Sequence, residues 1–247
     1  MDALPETGKM AVVYTTEAEA ARFMAAYGDR LAIGVVNGPE LLVLSGDATA
    51  VDDVVAAMKD QGIKTRSLAV SQAAHSPLLD PILDEFEAVA AEASYHSPHI
   101  ALISCTTGKM VGPDEVTNAP YWRRHLRQPV RFADAVDTLY REGFTTFLEI
   151  GPHPALAGMA QRCWPPTLDQ NLPAQSAVWQ ISLHKEHDDW QMLLENIGAL
   201  HVHGVAIDWA ALDANGAAQA PYRRCPLPTN PWQESRYWFQ AAAPSAT

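Results

Sequence analysis

Between residues 8 and 70 the spacing of apolar residues changes period four times, and that alternation constrains the chain more than any other feature. Met10–Tyr14 (MAVVY) is a short β-rich run. Glu17–Tyr27 then places Ala20, Phe23, Met24 and Tyr27 at helical spacing, with Gly28 as a stop. Leu31–Val36 and Leu41–Ser45 are two more β-rich runs, joined by Asn37-Gly38-Pro39-Glu40, a strong turn signal. Thr49–Gln61 is predicted as a second helix, because Val51, Val54, Val55 and Met58 fall on one face ahead of Gly62. Ile63–Val70 is the fourth expected strand.

The order β-α-β-β-α-β is that of the ferredoxin-like split βαβ unit. After Val70 the rhythm changes. A turn-prone segment, Ser71–Pro81, leads into an expected helix over Ile82–Ala93, and Ile100–Ser104 (IALIS) reads as a buried-type strand. Tyr121–Leu126 and Phe132–Glu142 read as helices, Phe147–Ile150 as a strand and Ala155–Cys163 as a short helix behind it. Pro165–Pro173 is a proline-bearing loop, Val178–Leu183 one more strand, and Trp190–Val202 an amphipathic helix. From Asp213 the chain is rich in Ala, Gly and Pro, and Pro226–Phe239 is extended and aromatic. The expected division is therefore 8–70, 71–175 and 176–240, with 241–247 a disordered tail. The middle unit has too few strands for a complete α/β layer and is expected to expose apolar edges unless another segment or subunit covers them.

Charge and cysteine content exclude several classes. Lys and Arg number 17 against 29 Asp and Glu, a formal net charge of −12, so the overall field disfavours nucleic acid. Cys105, Cys163 and Cys225 cannot all pair and none lies in a CxxC spacing, which points to reduced thiols and a cytoplasmic setting. No stretch approaches the ~18–20 apolar residues that span a bilayer, so no membrane partner is expected. The pairs His96/His99, His184/His187 and His201/His203 each lack a third ligand, so no metal is expected.

Chemistry is best placed in Val70-Ser71-Gln72-Ala73-Ala74-His75-Ser76-Pro77. His75 stands where a strand ends and a Pro-containing loop begins, and an imidazole there can take a proton from a nucleophile near neutral pH. The residues alone leave open a loop histidine bonded to backbone.

The segment 70–81 resembles the catalytic-histidine motif of polyketide synthase and fatty-acid acyltransferase domains. Four other stretches are similar to that family in the same order. They are Asn37-Gly38-Pro39 with Val43-Leu44-Ser45-Gly46, then Tyr121-Trp122 through Pro129-Val130-Arg131-Phe132. Phe147-Leu148-Glu149-Ile150-Gly151-Pro152-His153-Pro154 and Leu227-Pro228-Thr229-Asn230-Pro231-Trp232 with Arg236-Tyr237-Trp238 complete the set, the last resembling the linker that follows the domain in modular type I synthases. The resemblance, which extends to malonyl-CoA:acyl carrier protein transacylase, implies a ferredoxin-like subdomain plus part of an α/β-hydrolase-like acyltransferase subdomain. It implies His75 as general base, the backbone carbonyl of His125 as the group that orients it, and Gln72, Ala73 and Ala74 as substrate-specificity positions. It implies an acyl-CoA substrate, no bound cofactor, and an acyl carrier protein whose phosphopantetheine thiol receives the acyl group.

The chain departs from the family at the nucleophile. No Gly-x-Ser-x-Gly elbow occurs in the 247 residues, and the arginine that binds the substrate carboxylate in the family is absent too. The chain therefore reads as the C-terminal portion of such a domain, inactive alone, with an upstream acyltransferase portion and a ketosynthase as partners. Gln72-Ala73-Ala74-His75 matches neither the malonyl-type nor the methylmalonyl-type tetrad; Ala74 leaves room for a branched extender. Arg123, Arg124, Arg127 and Arg131 are either a solvated helix face or a carrier-protein contact. The aromatic run Trp232, Tyr237, Trp238 and Phe239 is expected to dock against the ketosynthase side. The alternatives are a non-catalytic scaffold fragment of the same fold, or an unrelated binding module, which would need a basic or aromatic sheet face that residues 9–69 do not supply.

Overall fold

The computed structural model describes residues 8–70, 72–164 and 177–216, with 226–229, 231 and 235 beyond them. Strands β1 (Gly8–Val13), β2 (Leu31–Gly38), β3 (Leu41–Asp47) and β4 (Thr65–Ser67) form one antiparallel sheet in the order β2-β3-β1-β4. Helices α1 (Glu17–Met24) and α2 (Ala48–Asp60) make the two crossovers. Thr16 and Asp47 start them by accepting the backbone N–H groups of Glu19 and Ala50, which the first turn of a helix leaves without partners.

The side chains of this sheet sort by strand alternation. Ala11, Val13, Leu42 and Leu44 point to the helices and close a core with Val51, Val54 and Met58. Met10, Val12 and Val43 point to the opposite face, where Val35, Leu41, Leu68 and Ala74 pack on them. Both faces are covered, which is why β1 reads as an unbroken apolar run instead of an alternating one.

Two expected elements shorten. The first helix ends at Met24, and Tyr27 instead precedes a 3-10 turn over Gly28–Arg30 while keeping its ring on the core. The fourth strand keeps only Thr65–Ser67, because Ile63 spends its N–H on Met58 O at 2.9 Å, closing the end of α2.

A 3-10 turn, Pro77–Ile82, leads into α3 (Leu83–Ala91), followed by α4 (Ala119–Arg127) and α5 (Phe132–Arg141). Strands β5 (Thr146–Glu149) and β6 (Val178–Ile181) pair in parallel, with α6 (Leu156–Arg162) between them in the chain and α7 (Asp189–Val202) after them. Phe147 stacks on Trp179 with ring centroids 4.2 Å apart, and Trp164 packs edge-on against both. Burial of Glu149 works to raise its carboxyl, but N–H groups from Ala155, Leu156 and Ala157 outweigh it and hold the group below the usual range. That carboxylate caps α6.

Ile100–Ser104 does not form the expected buried strand. It makes a single bridge, Ile103 to Met110, and Ile100 is 84% exposed. Among the described residues no strand lies alongside to satisfy its backbone, and a lone strand is not stable. The expected apolar edge is present at β5, where Leu148 and Ile150 are 41% and 83% exposed. An apolar groove of about 300 Å³, lined by Phe132, Val136, Phe147, Leu156 and Trp179, opens beside that strand.

Met1–Val205 form one compact unit and Ala206–Thr247 another. In the second, Trp209–Gly216 is a helix, α8, capped by Asp208 through Ala211 N–H at 2.9 Å; the sequence reading did not anticipate it. The linker aromatics Trp232, Tyr237, Trp238 and Phe239, and Cys225, lie outside the described residues.

Leu44 is wholly buried, and Leu148 is not. Leu44→Ala should therefore cost about 2–5 kcal/mol and Leu148→Ala under about 1 kcal/mol. Urea midpoints of the two variants test the asymmetry; equal losses would place the core elsewhere.

Candidate active site

The loop carrying His75 is rigid for local reasons. Ser76 Oγ donates to Ala73 O at 2.7 Å and accepts from Leu78 N–H at 3.3 Å, with Pro77 in the first turn that follows. Ser76 is wholly buried. The residue ahead of it, His75, has φ +57°, the described non-glycine residue in the left-handed region. Such a backbone costs on the order of 1–3 kcal/mol and persists only where neighbouring contacts impose it. The half-buried imidazole is aimed at α4.

His75 Nδ1 lies 2.8 Å from the backbone carbonyl of Gln128. A carbonyl only accepts, so Nδ1 carries the proton and the lone pair of Nε2 is left to receive another. Asn118 starts α4 by accepting Tyr121 N–H at 2.9 Å, and Pro120 sits in the first turn. Pro129 ends it. Proline has no N–H for the ladder and forces the residue before it into extended backbone. Gln128 accordingly has φ −81° and ψ 158°, which swings its carbonyl off the helix axis.

The orienting carbonyl is therefore mainly that of Gln128, three residues after the expected His125. The His125 carbonyl makes only a lesser backbone contribution at His75. The reason is position: His125 lies inside α4, where carbonyls run along the axis, whereas Gln128 lies past its end. The His125 ring packs against Trp122, with centroids 5.5 Å apart. Burial pushes that imidazole down, and any charge it carried would oppose charge on His75.

The arginines near α4 are mostly committed within the chain. Arg123 pairs with Asp84 and with Glu87 at 2.9 Å, and Arg127 with Asp80 at 2.5 Å, which ties α4 to α3 and the preceding 3-10 turn. Arg131 bonds Glu17 at 2.7 Å and Asp134 at 2.6 Å, and Glu17 first, then Asp134, hold its guanidinium well above its usual range. Each such pair is worth little alone. Together they set the orientation of α4 and leave Arg124 exposed and without an ion pair among the described residues. Four free cations for a carrier protein are not there.

Of the expected specificity positions, Ala73 is buried and Ala74 packs on the Met10, Val12 and Val43 face of the sheet, so both point inward. Gln72 is half-buried beside them. Three imidazoles approach one another beyond the C-terminal ends of β5 and β6: His153 to His184 at 4.6 Å and His184 to His187 at 5.0 Å between centroids. Among the described residues no group of three His, Cys, Asp or Glu side chains could hold a metal ion. No described helix is long and apolar enough to cross a membrane.

Burial pushes the His75 imidazole below its ordinary 6.5, with the Gln128 bond working the other way. A folded-state value below the unfolded one means the unfolded chain binds more protons in the interval, so stability falls as pH drops below about 6.5 toward the lowered value. His75→Gln should flatten part of that slope when urea midpoints are measured from pH 8 to 5. An unchanged slope would show that the ring is solvated.

The family model described as acyl transferase domain matches residues 1–207. Polyketide synthase GfsA of Streptomyces halstedii is 40% identical over 246 residues, 98% of this chain and 3% of that protein. Mycoketide-CoA synthase of Mycobacterium tuberculosis is 38% identical over 239 residues, 97% of this chain and 5% of that protein. The chain thus spans a small part of these relatives. Among solved structures, the acyltransferase domain from the second module of the salinomycin polyketide synthase superposes with a TM-score of 0.78 at 35% identity, over 90% of this chain and 51% of that one. The malonyl CoA-acyl carrier protein transacylase from Clostridium perfringens, at 18% identity and a TM-score of 0.67, shares the fold.

Proposed function

Because the chain belongs to the acyl transferase domain family, we propose that it supplies the general-base portion of a polyketide synthase acyltransferase. The extender acyl group, of malonyl or methylmalonyl type, moves from CoA to the phosphopantetheine thiol of an acyl carrier protein. His75 Nε2 takes the proton of a serine hydroxyl as its oxygen attacks the thioester carbonyl. The tetrahedral intermediate expels the CoA thiolate, which takes up that proton, leaving an acyl-serine. The carrier thiol then gives its proton to His75 and attacks the ester; the serine oxygen leaves with the proton returned. No bound cofactor enters either half.

The observation that carries this reading is the 2.8 Å approach of Gln128 O to His75 Nδ1, which leaves the other nitrogen as base. The lowered imidazole supports it, since a base must be neutral at the working pH. The serine, its oxyanion hole and the carboxylate-binding arginine come from a portion outside these 247 residues, which contain no Gly-x-Ser-x-Gly. We read residues 8–70 as a ferredoxin-like subdomain, 71–175 as part of the α/β-hydrolase-like subdomain and 176–240 as the linker that follows it. The partners are the rest of the acyltransferase, the ketosynthase and the carrier protein, in the cytoplasm.

Radiolabelled malonyl-CoA or methylmalonyl-CoA should leave the 247-residue chain unlabelled. Joined to an acyltransferase portion bearing the serine elbow, the polypeptide should pass label to a carrier protein, and His75→Gln should slow transfer ~10²–10⁴-fold. Labelling of the chain alone would place a nucleophile within it. Transfer unaffected by His75→Gln would remove the base, and no transfer in the joined polypeptide would favour the scaffold alternative.

A further inference from the structure

The Gln128 carbonyl and the His75 ring come from loops 53 residues apart, and each loop ends on the same spot of the small sheet. Strand β2 pairs with β3 in register Ile33↔Leu44 and then Val35↔Val43, so Gly34 is an extra, bulged residue. Gly34 O, on the edge of the sheet away from β3, accepts Val130 N–H at 2.9 Å. Val36 N–H then donates to Val130 O at 2.8 Å. This fixes the chain two residues past Gln128.

The other loop docks on the same spot. Ser45, wholly buried on β3, shares the face of Val43 and donates its hydroxyl to Ala74 O at 2.5 Å, the carbonyl directly before His75. A Cβ built at Gly34 would stand 2.9 Å from Ser45 Cβ and 3.3 Å from Ala74 O. Only glycine lets the Ala74 carbonyl and the Ser45 side chain come this close to β2.

We propose that Gly34 and Ser45 are positioning residues: a two-residue platform that holds the His75 loop and the Gln128 loop in register and so sets which nitrogen of His75 is free. Gly34 acts by its bulged carbonyl and its missing Cβ, Ser45 by its hydroxyl. Neither touches substrate. The left-handed backbone at His75 follows, because Ser45 holds the Ala74 carbonyl and buried Ser76 holds the Ala73 carbonyl just before it. The proposal rests on His75 being the base, but its test does not involve acyl transfer, so the two can fail separately.

Histidine-selective ¹⁵N labelling of the whole chain, with the His75→Gln spectrum for assignment, reads the ring directly. The expected result is one neutral tautomer with a slowly exchanging Nδ1 proton. In Ser45→Ala and in Gly34→Ala that proton should exchange roughly five- to tenfold faster, the worth of about one net hydrogen bond, and the tautomers should average. Val51→Ala is the control. Val51 is equally buried in the same subdomain but on α2, across the sheet from the loop, so it lowers stability without touching the platform. The proposal is overturned by a His75 ring that is averaged in the parent chain, that is unmoved in Ser45→Ala, or that loosens as much in Val51→Ala. Should Gly34→Ala fail to fold, Ser45→Ala, which removes a single oxygen, decides alone.

Discussion

A backbone carbonyl facing one nitrogen of one imidazole is the contact on which the rest of this structure turns. The Gln128 to His75 bond is local to neither partner; it exists only because a loop leaving β4 and the chain past a helix ending at Arg127 both arrive at Gly34 of β2. Its consequence is chemical. A ring whose Nδ1 proton is held by an acceptor that cannot itself donate has one tautomer, and that tautomer presents a free lone pair. Partial burial pushes the ring below its ordinary value, so orientation and the shift come from the same surroundings.

The two sheets divide the work unevenly. The four-stranded sheet is finished: helices cover one face, and the His75 loop with its apolar neighbours covers the other. It is the rigid body from which the His75 loop is hung. The parallel pair β5 and β6 is not finished among the described residues, since each strand is paired on one side and Leu148 and Ile150 stay in solvent. Parallel sheets are normally buried on both faces. The chain superposes on about half of a solved acyltransferase domain.

Legibility followed the range of the forces involved. Val51, Val54, Val55 and Met58 could be placed on the buried face of α2 from spacing alone, because helical periodicity is local and the sheet beneath accepts any apolar stripe. Ile100–Ser104 failed for the opposite reason. Its composition was right for a strand, but a strand is made by neighbours. The ion pairs of the arginines around α4 could not be read from spacing because their partners, Asp80, Asp84, Glu87 and Glu17, are 36 or more residues away. Pro129 was in plain view, and the rule that a residue before proline is extended would have pointed to Gln128 instead of His125. Gly34, a glycine inside a strand pattern, likewise signals a bulge.

The amino-acid order by itself determined the βαββαβ course of residues 8–70 and the family, since periodicity, turn residues and motif spacing are written along the chain. Which carbonyl meets the His75 imidazole, which strand is left unpaired and which charges remain free were decided by folding. Those outcomes depend on contacts between segments tens of residues apart, and the strength of a hydrogen bond or ion pair depends on the final separation and burial of two groups, which no local stretch encodes.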